Sequence, residues 1–273
     1  MKNKLLLFIL VFLALFISCH SRYLQVPILK RTDQPLLPGS AFFDTVKSMY
    51  WKDREALAMP LLLSGNMPSF LLKFSPIHVS ILDSTTNRTI HATYYVSSDY
   101  VSIGTDNDWV RIPLTPMAAQ QLADTLHCFL PTKKIVDDIY QQAKIKLSPI
   151  SMFAFRDSAI TMYQHHLMIE GQRKLKKGLI AGIKKDLVLS DKIIRHNKPD
   201  REAIYGWHQL NGKPIQPLYA GHVNWWVDYS HGTRLIYRKI KVDGKLIDYI
   251  DILKNPRLKR LLCDEQYCDS YRY

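Results

Sequence analysis

The chain has 273 residues, 47% hydrophobic and 22% charged, with a formal charge of +13. Such a chain makes one large domain or two small ones with an ample core; a disordered, collagen-like or multi-span membrane protein is excluded. The basic balance favours anionic partners, an acidic glycan or envelope polymer or a membrane face, and no nucleic-acid motif accompanies it, so nucleic acid is not an expected partner.

Lys2 and Lys4 precede an apolar run from Leu5 to Ile17, and Ser18 precedes Cys19. The run falls short of the roughly 20 helical residues needed to cross ~30 Å of hydrocarbon, and it fits a signal peptide over residues 1–18. Phe16-Ile17-Ser18-Cys19 resembles a lipobox, with Phe16 where Leu is more usual. The expectation is an exported lipoprotein, acylated at Cys19 and held on the bilayer in the cell envelope, at the outer membrane or facing the periplasm. An ordinary cleaved signal and an uncleaved anchor are the alternatives. Loss of Lys2 and Lys4 lowers +13 to +11. Residues 19–38, punctuated by Pro27, Pro35 and Pro38, read as a tether, and 39–273 as a single domain.

Ser40 is placed to cap a helix running to about Leu57, with Phe42, Val46, Tyr50 and Trp51 at helical spacing. Strand patterns follow from His78 to Asp83 and from Thr89 to Ser98. A third spans Tyr100 to Ile112, bent around Asp106-Asn107-Asp108. The period then turns helical. Thr115 caps a helix from Pro116 to Leu126, and Thr132 caps Lys133 to Lys144, with Ile135, Val136, Ile139 and Tyr140 on one face. A third helix covers roughly Asp157 to Lys176. Buried strands at Gly178–Leu189 and Ala203–Leu210 precede Asn211-Gly212, and Asp243-Gly244 joins Arg234–Val242 to Lys245–Ile250; both dipeptides signal hairpins. A helix near Ile252–Leu262 closes the chain. Strands, helices, then strands predict α+β, with a mixed or antiparallel sheet and a central helical segment.

Cys263 and Cys268 are close enough to close a small disulfide loop in an oxidising compartment. Cys128 is then left over, as an apolar filler or a reactive thiol.

No G-x-S-x-G, H-E-x-x-H, P-loop or G-x-G-x-x-G signature occurs. The densest polar and aromatic stretch runs from Lys184 to Arg234. It offers His208, His222, His231 and Asp228 as catalytic candidates. Tyr205, Trp207, Gln216, Trp225, Tyr229, Ser230, Lys184 and Lys185 are the candidates for binding substrate, with Trp226 beside them. Aromatic faces beside polar tips suit a glycan or peptide. Regular alternation puts Asp228 and Ser230 on one face and Tyr229 and His231 on the other, unless a turn intervenes.

The segments CFLPTKKIVDDIY, GIKKDLVLS, YGWHQLNGKPIQPL and DYSHGTRLI resemble an uncharacterised family of exported bacterial proteins, over about residues 70 to 262. That family usually carries His where this chain has Ile183, which argues against an obligatory catalytic role there. The resemblance implies the location of a site and no activity.

Four functional readings stay open, beside one in which Trp207, Trp225 and Trp226 are core aromatics and the histidines satisfied hydrogen-bonding groups in turns. A thiol hydrolase would use Cys128 with a later His, in the chain order of papain-like and NlpC/P60-like amidases. A metal-assisted hydrolase would use His208, His222 and His231, with Asp228 as a further ligand candidate, around zinc; no cofactor is otherwise expected. A metal-free variant pairs Asp228 with His222 or His231. A non-catalytic lipoprotein would bind a glycan or peptide on the same surface. The leading expectation is a hydrolase of a cell-envelope or other glycan or peptide polymer.

Overall fold

The computed structural model describes residues 23–26, 35–195 and 200–273. The expected signal peptide and Cys19 lie outside them. The first described piece carries β1 (Leu24–Gln25), which pairs antiparallel with β2 (Lys73–Asp83), Leu24 opposite Phe74. Val26 is 1% exposed within the main core, and its amide donates to the Leu72 carbonyl at 2.9 Å. Leu37 is held at both backbone polar groups by the Asn66 side chain. The described parts of the expected tether are therefore built into the domain. A buried valine and two chain ends of hydrogen bonds outweigh the freedom that prolines and polar residues suggest.

The single helix expected from Ser40 is two, α1 (Gly39–Val46) and α2 (Trp51–Leu63). Ser40 does not cap the first. Its amide and hydroxyl instead donate to Asp108, at 2.9 and 2.5 Å, so a carboxylate 68 residues away serves the helix start. That carboxylate belongs to the bend between β4 (Ser102–Gly104) and β5 (Trp109–Arg111), the bend expected at residues 106–108.

β2 and β3 (Arg88–Val96) form a long antiparallel pair, from Ser75 opposite Val96 to Asp83 opposite Arg88. α3 (Pro116–Thr125) and α4 (Lys133–Gln142) begin where the sequence marks them, with Thr115 and Thr132 accepting from the amides of Ala118 and Ile135. Ala119, Leu122 and Ala123 of α3 and Ile135 and Ile139 of α4 share one buried cluster with Phe74, Ile77, Tyr94 and Val96. Each Val, Leu, Ile or Phe among them contributes about 1.5–3 kcal/mol by leaving water, and each alanine methyl about 0.8. The short β6 (Cys128–Phe129) lies between α3 and α4, and β7 (Ile145–Lys146) follows. α5 (Ala159–Arg173), capped by Ser158, crosses behind β5.

The last third begins with β8 (Ile180–Ala181), β9 (Lys185–Leu187) and α6 (Asp191–Arg195). β10 (Arg201–His208) and β11 (Pro214–Val223) form the hairpin signalled by Asn211-Gly212. Then come β12 (His231–Gly232), β13 (Ile236–Tyr237), and the hairpin of β14 (Lys239–Val242) and β15 (Lys245–Asp248). α7 (Tyr249–Lys254) and a 3-10 turn (Lys259–Leu261) come last, in place of the one helix expected near Ile252–Leu262. Among the described residues, one sheet runs β1-β2-β3-β13-β6 with β14 and β15 attached through β3. A second, four-stranded sheet runs β11-β10-β9-β12. The protein is an α+β domain, and Cys263 and Cys268 are bridged. No helix among the described residues is long and apolar enough to cross a membrane.

Buried charge lies between the sheets. Arg111 donates bidentately to Asp99, at 2.9 and 2.7 Å, and reaches Glu170 on α5 at 2.7 Å; Arg173 adds a contact to Asp99 at 3.4 Å. Arg234 donates to the carbonyls of Ser97 and Ile180, and its guanidinium stands 4.2 Å over the Tyr100 ring. Tyr100 in turn donates to Asp186.

Candidate functional site

The second sheet builds the site. Glu202, at the head of β10, stands opposite His222, near the end of β11. The strand after them turns sharply. The His231 amide donates to the Asp228 carbonyl, and the Asp228 carboxylate accepts from the Ser230 amide and hydroxyl at 2.7 and 2.5 Å. This turn overrides the regular alternation expected for residues 228–231 and brings Asp228 and His231 to the same side. His231 then pairs with Lys185 of β9 in a parallel bridge.

The result is a tight group. His231 Nδ1 lies 3.4 Å from Glu202 Oε1, and Nε2 lies 3.9 Å from Asp228 Oδ1, so the ring stands between two carboxylates. The ring of His222 is centred 6.0 Å from that of His231. Glu202, His222 and His231 each offer a ligand-type atom within 4.8 Å of the others. Lys185 extends its ammonium over Trp207 at 5.3 Å, and Arg156 pairs with Asp228 at 2.8 Å. Glu202, Asp228 and His231 are buried, while His222 is half-buried. The exposed Trp225 and Trp226 follow His222 on the connecting turn.

Electrostatics separate the two carboxyls. Burial pushes Glu202 well above the usual carboxylate range, and nearby Asp228 adds to the rise. Burial acts the same way on Asp228, but His231, Ser230 and Lys185 outweigh it and hold Asp228 at about 2. Burial lowers His231 to about 4 against the pull of Asp228, and burial with Lys185 lowers His222, so both imidazoles are neutral at neutral pH. Two carboxyls driven apart beside neutral imidazoles is an arrangement suited to acid–base work.

The other candidates lie elsewhere or serve as supports. His208 ends β10 opposite Pro214, six residues and roughly 20 Å of strand from Glu202. Its Nε2 sits 3.1 Å from Asp137, which also accepts from the Tyr205 hydroxyl, and its ring stacks on Tyr140. The expected convergence of His208 with His222 and His231 is corrected: opposite ends of one strand cannot share a ligand. Gln216, opposite Gly206 near the start of β11, donates to the Pro217 carbonyl. Lys184, just before β9, is buried between His165 and the Tyr229 carbonyl. The Tyr229 hydroxyl accepts from the Met152 amide at 2.7 Å, and its ring meets Trp207 and His165 edge-on. Ser230 spends its hydroxyl on Asp228.

Cys128 is 2% exposed in the main hydrophobic core, and its thiol donates to the Leu126 carbonyl. Burial drives its pKa far above the usual thiol range. No imidazole of the described residues hydrogen-bonds it. The thiol mechanism is therefore set aside, and Cys128 is the apolar filler of the two readings.

Sequence reasoning missed Glu202 and Arg156. The available signal was a lone acid, Glu202, heading an otherwise apolar strand, where a buried charge requires a purpose.

Two glycines near the site have local causes. Gly206 takes φ +107 and Trp207 φ 56 at an irregularity in the β10–β11 register. Trp207 is a rare non-glycine in left-handed backbone, held beside Lys185. At Gly232, a Cβ would stand 2.5 Å from Tyr100 Cδ1 and 2.8 Å from Lys184 Cβ. Gly232→Ala is expected to cost about 1–3 kcal/mol, read as a lower urea midpoint at unchanged slope.

Searches of protein-family models, of curated proteins and of solved structures each found nothing that matches this chain.

Proposed function

We propose that the chain is an exported lipoprotein, anchored through Cys19, that hydrolyses a glycan or peptide polymer of the cell envelope at the Glu202–His222–His231 group. The observation that carries the reading is the convergence of these three groups within 4.8 Å, with Asp228 and Lys185 beside them. The N-terminal lipobox and signal pattern support the location.

Hydrolysis needs a held and polarised water and positive charge for the oxygen that gains it. The neutral His222 and His231 supply proton-accepting atoms around one point, and Glu202, whose carboxyl is raised, can supply a proton. Lys185 and Arg156 supply the charge. The water oxygen joins the electrophilic centre, the leaving group departs with the bonding electrons, and the proton given up by water ends on the leaving group. The exposed Trp225 and Trp226 would stack on sugar rings at the His222 side. The same pair favours a second reading, a glycan-binding lipoprotein without turnover.

The purified chain is to be incubated with peptidoglycan fragments, acylated glycans and chromogenic esters. Turnover of one class, reduced about 100-fold or more by Glu202→Gln and unchanged by Cys128→Ala, is the expected result. Turnover in none, or turnover indifferent to Glu202, would sink the hydrolase reading; binding of a glycan without turnover would leave the second.

A further inference from the structure

We infer that Glu202, His222 and His231 bind a divalent transition-metal ion, with zinc the best chemical match. The inference deepens the hydrolase reading by naming what holds the attacking water, and rests on that reading only for its catalytic consequence.

Two observations point to an ion independently. The first is geometric. His231 Nδ1 and Glu202 Oε1 are 3.4 Å apart without a hydrogen bond between them. Two ligands about 2.1 Å from a shared ion at the tetrahedral angle stand about 3.4 Å apart. His222 completes the set within 4.8 Å, and as the half-buried member on the outer side it has room to close the remaining distance.

The second is a deficit of partners. Both oxygens of Glu202, a fully buried side chain, lack a hydrogen bond. A buried carboxylate with neither donor nor paired cation is costly, and native interiors avoid it. A divalent ion on the Glu202 oxygens supplies the missing charge.

The surroundings fit a metal centre as well. With Nδ1 turned to Glu202, the other nitrogen of His231 faces Asp228, which is fixed by Arg156 and Ser230. A carboxylate on that side, 3.9 Å away, favours positive charge on the imidazole and metal together. Two His and one Glu leave a coordination position for water, the ligand count of catalytic zinc sites. The chain reaches this set with Glu202 where the sequence suggested His208.

The test uses the full chain purified in detergent, stripped with a chelator and titrated with zinc by calorimetry, then with cobalt followed by its visible absorption. One ion per chain is expected, with the intense bands of low-coordinate cobalt. Affinity should fall about 100-fold or more in Glu202→Gln, His222→Ala and His231→Ala. The half-buried His222 makes His222→Ala the variant least dependent on folding, and circular dichroism checks the other two. No binding, or binding that survives His222→Ala in the folded protein, overturns the inference. Hydrolysis by a chain that binds neither zinc nor cobalt overturns it while leaving the hydrolase reading intact. Stoichiometric binding at these residues without any turnover supports the site and defeats the hydrolase reading instead.

Discussion

Asp99→Ala is expected to cost on the order of 3–5 kcal/mol of folding stability, enough to leave a domain of ordinary stability barely folded. Asp99 is 1% exposed and holds two arginines, Arg111 bidentately and Arg173 at 3.4 Å. Burial by itself would raise its pKa; Arg111, Arg173 and Arg234 outweigh burial and keep it ionised below the usual range. Without the carboxylate, Arg111 retains only Glu170 to offset a guanidinium that water does not reach. The loss is mostly that of a stranded charge and not of a favourable pair. Asp99→Leu combined with Arg111→Met should therefore recover much of the stability lost in Asp99→Ala. Urea unfolding followed by circular dichroism measures all three. A cost below about 1 kcal/mol for Asp99→Ala would show that the network does not hold the fold. The functional link runs through α5: Glu170 and His166 contact Arg111, and the preceding His165 meets Lys184 and the Tyr229 ring beside the site.

Acid should unfold the protein steeply, and the two neighbouring histidines of α5 should account for much of the slope. His165 and His166 are buried. Burial, then the cations Lys184 and Arg111, lowers His165 to about 2; burial and Arg111 bring His166 well below its usual value. Both stay neutral in the folded chain, while the unfolded chain takes up protons below about pH 6.5. Their contribution is thus complete above pH 6.5 and shrinks as pH falls, by on the order of 2–3 kcal/mol per pH unit for the pair. Glu202 acts the other way, because its raised pKa keeps a proton that the unfolded chain releases. The histidine contribution is therefore read as a difference. Urea midpoints of the wild type and of His165→Gln/His166→Gln, taken at pH 7 and pH 5, should show a clearly smaller acid loss in the variant. Equal losses would mean that neither imidazole resists protonation in the fold.

What could be read in advance was local. Thr115 and Thr132 cap the helices they precede because a side-chain cap needs only the next three residues. The Asn211-Gly212 hairpin, the bend at 106–108 and the Cys263–Cys268 loop are local in the same sense. The break between α1 and α2 was hidden, since apolar spacing continues across it. The partner that fixes α1, Asp108, is 68 residues away. The site shows the same division. His222, His231, Asp228 and Lys185 stood out by density within one segment. His208 shared that density but belongs to Asp137 and Tyr140 at the other end of its strand. Glu202 carried one weak local signal, an acid near the head of an apolar strand; whether that carboxyl faces water or an imidazole depends on how the sheet is assembled. Cys128 precedes a helix, as a reactive thiol should, yet burial removes its reactivity.

The docking of β1 has a mechanical consequence. Leu24 is already paired with Phe74, and Cys19 is only five residues earlier. However those residues run, they cannot span more than about 18 Å. On the proposed acyl anchor the domain has a stalk shorter than its own width, so it would ride against the leaflet. Its reach is then set by lateral diffusion and rotation about that stalk. Polymer lying close to the membrane would be within range, and material farther out would have to come to it.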